Sequence, residues 1–176
     1  MSSISELKKS LSVDPVVVKF TRISSVVRSA VNTETTEKEV NFLHASRKSR
    51  GLTSAKMSAS ILMDAIMTDM SARSRLIEIK TLVHRNQELI SSALSAIKKH
   101  VMVRYQDELR EAGSTKADRD AALDRIFQSA TSLKSEMSSL EEQIDMVVRD
   151  IDQASFSLRN TTELLKMILD RKDSEF

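Results

Sequence analysis

Residues 123–168 read LDRIFQSATSLKSEMSSLEEQIDMVVRDIDQASFSLRNTTELLKMI, and their apolar positions step by three and four residues in turn. The series runs Leu123, Ile126, Ala130, Leu133, Met137, Leu140, Ile144, Val147, Ile151, Ala154, Leu158, Thr161, Leu165 and Ile168, and Thr161 is its one polar member. A straight helix of 3.6 residues per turn drifts by about 20° per heptad against such a repeat, so a series held for six heptads marks a coiled-coil strand rather than a helix covering a globular core. The stretch therefore predicts one long helix with a narrow apolar seam.

A second seam precedes it: Leu62, Ala65, Asp69, Ala72, Leu76, Ile79, Val83, Asn86, Ile90, Ala93 and Ile97. Between the two lies Gly113, one of only two glycines in 176 residues, followed by Ser114 and Thr115 with Asp118 three residues past Thr115, a pattern that restarts a helix. One proline and two glycines leave too few turn residues for hairpins and sheets, so the fold expected is all-α: a long antiparallel helical hairpin with short N-terminal helices. Folding back at Gly113 sets Ile97 near Ala130, Ile90 near Met137, Val83 near Ile144 and Leu76 near Ile151. Both hairpin helices are expected to be unbroken, the first from a cap at Thr53 to Gly113 and the last to about Lys172. Leu82, Leu89, Leu94 and Val101 form a second apolar stripe, which the N-terminal helices or another copy of the chain must cover.

The division expected is a basic helical region over residues 1–51 and the hairpin over 52–176. Ser3 to Ser12 fits a short helix; Asp14 caps the next, with Pro15 at its first position, through about Asn32. Thr35 and Thr36 with Glu39 resemble a capping box for a third helix ending at Arg50 before Gly51. Residues 1–56 hold ten Lys/Arg against five Asp/Glu. No acidic residue lies between Glu39 and Asp64, while Arg47, Lys48, Arg50 and Lys56 surround Gly51, so these four are the candidate contacts to phosphates. A solvated basic loop is the plainer account. With Phe42 and Phe20 the only aromatic residues nearby, any nucleic-acid binding would be driven by the backbone and sensitive to salt.

The remaining chemistry is sparse. The sequence has no cysteine, no Gly-rich phosphate loop, no His-Glu-x-x-His and no Gly-x-Ser-x-Gly, so no enzyme, no metal and no cofactor is expected. His44, His84 and His100 stand apart; His84 is expected to face solvent and His100 to lie in the seam opposite Ile126. Asn86 and Asp69, polar at seam positions, either fix register or sit at a wet edge. Glu141, Glu142, Asp145, Asp150 and Asp152 read as a solvated face. Met57, Met63, Met67 and Met70 fit core packing, with an adaptable contact surface as the alternative. No apolar run reaches the length of a membrane span, and a soluble cytoplasmic protein is expected, with export left open.

The stretch Leu140-Glu-Glu-Gln-Ile-Asp-Met-Val-Val148, followed by Ser155-Phe-Ser-Leu-Arg-Asn160 and Glu163, resembles the C-terminal helix of UvsY-type recombination mediators of T-even-like phages, over about 45 residues. The resemblance implies a ring-forming protein that binds single-stranded DNA and helps to load a recombinase. The Gly113 turn between two equally long helices departs from that pattern, and no functional residue carries over. From the residues themselves the expected function is a self-assembling adaptor or structural protein whose partners are itself and another helical protein. A single-stranded-DNA-binding mediator and an exported filament or secretion-system subunit are the alternatives.

Overall fold

The computed structural model describes residues 3–47 and 58–173, with side chains from Glu6 to Met167 apart from Leu165. It contains α1 (Ser3–Ser12), α2 (Pro15–Ala30), α3 (Thr33–Ala45), α4 (Ala59–Arg104), α5 (Gln106–Ala112), α6 (Lys116–Ile126) and α7 (Gln128–Asp173), and no strand among the described residues. The fold is an all-α helical hairpin: α4 and α5 lead to Gly113, and α6 and α7 return.

Local chemistry accounts for most helix ends. The Asp14 carboxylate accepts from the amides of Val16 (2.7 Å) and Val17 (3.4 Å), with Pro15 next in line, so α2 starts where the sequence places it. Ser58 stands before α4, its hydroxyl accepting from the Ile61 amide at 3.3 Å, whereas the expected cap at Thr53 lies outside the described residues. At the hairpin turn Thr115 and Asp118 form a reciprocal capping box: the Asp118 amide donates to the Thr115 hydroxyl and the Thr115 amide to the Asp118 carboxylate, each at 3.1 Å. Gly113 is extended (φ −171°, ψ 132°), and glycine is needed there for space. A Cβ would lie 2.3 Å from that of Asp118.

Helix boundaries differ from expectation at four points. α3 begins at Thr33 and ends at Ala45, earlier than Arg50. The hairpin helices are not continuous, because Tyr105 (φ −117°, ψ 38°) separates α4 from α5 and Phe127 (φ −99°, ψ 22°) separates α6 from α7. In each case the residue that leaves helical geometry is an aromatic anchoring the N-terminal segment. The Tyr105 hydroxyl donates to Asp14 at 2.9 Å, and the Phe127 ring meets Phe20 edge-on, with centroids 5.4 Å apart.

The chain forms two compact units. The first combines residues 1–33 with 82–140. Within it Lys98 pairs with Asp124, joining the antiparallel strands of the hairpin, while α2 runs parallel to the return strand: Phe20 meets Phe127, Arg28 donates to Ser129, and the Thr33 hydroxyl donates to Glu136 at 3.0 Å. Ile90, Ile97, Leu133, Met137 and Leu140 are buried, as is Val83, and Ile126 is half-buried. Of the second stripe, Leu94 and Val101 are buried inside this unit by the chain's own helices, whereas Leu82 and Leu89 stay exposed.

The second unit combines residues 34–81 with 141–176. Arg73 bonds Asp152 and Lys80 bonds Asp145, each at 2.7 Å; the pairs stand seven residues apart on both helices in opposite directions, the antiparallel register read from the seams. α3 forms the third strand, with Glu39 bonded to Arg75 (2.8 Å) and Asn41 to Gln143 (2.9 Å). Leu76, Ile144, Val147, Ile151 and Leu158 are buried; the side chains of Leu165 and Ile168 lie outside the described set. Each fully buried Leu or Ile contributes roughly 1.5–3 kcal/mol before the entropy of ordering the chain is subtracted. The packed seam, rather than helix propensity, therefore holds each unit together.

Candidate interaction surfaces

Arg47 is not the surface cation that its sequence context predicts. Its side chain is 1% exposed: one terminal nitrogen pairs with the Asp150 carboxylate, while the other lies 3.3 Å from Asp69 and 3.4 Å from the Asp150 carbonyl oxygen. Asp69 is 0% exposed, and His44 Nε2 approaches Asp150 at 3.1 Å. A carboxylate at a seam position in a closed core requires a cation, and Arg47 supplies it with a planar fork that also reaches α7. Arg47 is therefore a structural tie between the end of α3, α4 and α7 and is withdrawn from any phosphate contact. Lys48, Arg50 and Lys56 lie outside the described residues. The signal available in the sequence was Asp69 itself, an acid in an otherwise apolar row.

Asp14 is a second buried acid, 3% exposed. Besides capping α2 it accepts from Tyr105, stands 3.1 Å from His100 Nε2 and lies 3.6 Å from Arg104. Burial alone would raise its pKa, but the hydrogen bonds from His100, Tyr105 and the amides of Val16 and Val17 outweigh that and hold the carboxyl well below the usual carboxylate range. His100 thus faces Asp14 rather than the seam position expected opposite Ile126. Polar groups in this cluster satisfy one another, an arrangement that locks the α1–α2 junction to the hairpin.

The acidic residues of α7 are more committed than a solvated face. Asp145 and Asp152 each pair with a cation of α4, and Asp150 pairs with Arg47 just past the end of α3. Asn86 is half-buried and its amide donates to the Leu82 carbonyl oxygen at 2.8 Å, a bond within its own helix. His84 is exposed and lies 3.5 Å from Glu88. Among the described residues no three His, Cys, Asp or Glu side chains come together as a metal site, and no helix is long and apolar enough to cross a membrane.

The methionines of α4 are not core residues. Met63 is 61%, Met67 61%, Met70 52% and Ile77 40% exposed, while Leu62, Ala65, Asp69, Ala72 and Leu76 are buried. At about 100° per residue the exposed set falls on one face roughly opposite the buried set. Ser74 continues it, so the spacing is four, three, four and three over about 21 Å. Charges of both signs border it, at Asp64, Arg73, Arg75 and Glu78. α4 thus has two apolar seams, one filled within the chain and one open.

Comparison with protein-family models, curated proteins and solved structures finds no match to this chain.

Proposed function

We propose that this chain is a non-enzymatic, self-assembling helical adaptor, which associates through the exposed seam of α4 and presents its basic N-terminal helices to a partner. The observation that carries the reading is the stripe Met63, Met67, Met70 and Ile77, apolar, uncharged and spaced for a facing helix. A monomer rarely leaves such a face to water. Methionine suits it, since the unbranched thioether adapts to a partner surface that does not have to fit as a jigsaw.

A second copy fits this seam. Two α4 helices packed antiparallel about Met70 bring Asp64 of each copy to the same edge as Arg75 of the other, which also bonds Glu39 and Glu78 of its own chain, because both residues lie on the same flank of the stripe. Opposite charges along the edges of an apolar seam set orientation as they do in coiled coils. The test is sedimentation of the purified chain beside the Met67→Glu/Met70→Glu variant. Concentration-dependent mass above that of one chain, abolished in the variant with its helicity unchanged, supports the reading; single-chain mass for the unmodified protein overturns it.

A further inference from the structure

We infer that Met63, Met67 and Met70 form a reversible oxidation site, at which a hydroperoxide turns the open seam of α4 from apolar to polar and takes the copies apart. This rests on the self-assembly reading and names a chemical control of that same surface. Among the methionines whose side chains are described, Met137 is fully buried and Met102 half-buried, whereas Met63, Met67 and Met70 are exposed together on one face of α4. Met146 and Met167 are exposed too, on α7. The closed row of α4, with Leu62, Ala65, Leu76, Ile79 and Val83 at buried positions, holds no thioether. In α4 the sulfurs that water reaches freely therefore lie on the row that the fold leaves open.

Methionine is an apolar side chain that one reaction makes polar and a second restores. A lone pair of Sδ attacks one oxygen of the hydroperoxide, and an S–O bond forms as the O–O bond breaks. The other oxygen leaves as water or an alcohol, carrying the proton of the transferred oxygen. Sulfur loses two electrons and the peroxide gains them. Exposure decides which sulfurs react: Met63, Met67 and Met70 of a free chain admit the oxidant, and Met137, closed in the α7 seam, does not. The product acts where the copies meet. In the antiparallel pairing about Met70, Met63 of each copy faces Ile77 of the other and Met70 faces its counterpart. A sulfoxide oxygen at either position is buried against an apolar side chain rather than a donor, which disfavours the contact. The buried row of α4 is untouched, so the fold outlasts the assembly.

The test is sedimentation and circular dichroism of the full chain before and after treatment with hydrogen peroxide, with the oxidised residues located by peptide mass spectrometry. The variant Met63→Leu/Met67→Leu/Met70→Leu runs beside it. Leucine keeps the seam apolar and takes up no oxygen, while Met146 and Met167 stay oxidisable in both proteins. Peroxide is expected to oxidise Met63, Met67 and Met70 before Met137 and to leave the leucine variant assembled. In the natural protein it is expected to raise the dissociation constant of the assembly by roughly tenfold or more, with helicity unchanged. Methionine sulfoxide reductases for the two sulfoxide epimers are expected to restore the mass. An assembly that keeps its mass with the three sulfurs oxidised overturns the inference, and so does a leucine variant that peroxide dissociates equally. Loss of helicity along with mass overturns it too, since the fold rather than the seam is then the target. Single-chain mass before any treatment overturns the self-assembly reading and this inference with it, so the two failures are told apart.

Discussion

Replacing Asp14 with alanine tests how the N-terminal helices are attached, because one carboxylate serves both the start of α2 and the contact with Tyr105. Losing the cap on Val16 and Val17 costs about 0.5–2 kcal/mol. The buried Tyr105 hydroxyl, which donates to Asp14 at 2.9 Å, is left without that acceptor, at about 1–3 kcal/mol. Arg104 is largely exposed at 3.6 Å and adds little. The expected loss is about 2–4 kcal/mol in urea unfolding followed by circular dichroism, with Tyr105→Phe losing the smaller share. The pH dependence has a definite sign. A carboxyl held below its unfolded value binds fewer protons in the native state, so its contribution is complete above about pH 4 and fades as the pH falls toward the lower native value. The gap between the natural protein and Asp14→Ala should therefore narrow in acid. A loss under about 0.5 kcal/mol, or a gap indifferent to pH between 5 and 3, would refute this account of the junction.

Two further substitutions examine the second unit. Ile144 is fully buried in the α7 seam, and Ile144→Asp places a carboxylate there without a partner; unfolding at room temperature is expected, and unchanged helicity and melting would remove the seam from the account. Arg47→Ala removes from buried Asp69 the guanidinium that faces it and should cost about 3–5 kcal/mol, whereas Arg47→Met/Asp69→Leu should recover most of the loss in a double-mutant cycle; additive losses would mean that the two residues are not coupled.

The parts legible in the sequence are those fixed by local periodicity or by a chain breaker. The seam from Leu123 onward, the Gly113 turn with its Thr115 and Asp118 box, and the Asp14-Pro15 start of α2 each involve residues within a few positions of one another. What the sequence concealed is decided by contacts across the fold. Nothing near Tyr105 or Phe127 announces a bend, since neither has a Gly or Pro beside it; the bends come from Asp14 and Phe20, about a hundred residues away. Arg47 reads as one more cation in a basic run until Asp69 and Asp150 arrive from other helices. The methionines of α4 share their helix with a second apolar row at the same period. Periodicity alone does not rank two faces, and here the row with Leu62, Leu76 and Ile79 is closed while the methionine row is open.

The open row is the basis of the functional proposal, and the mass of the protein in solution tests it most directly. Sedimentation over a range of concentrations is predicted to give an assembly heavier than one chain for the natural sequence and single-chain mass for Met67→Glu/Met70→Glu, both equally helical. A natural protein that sediments as one chain at every concentration, with the methionine stripe intact, would contradict the account.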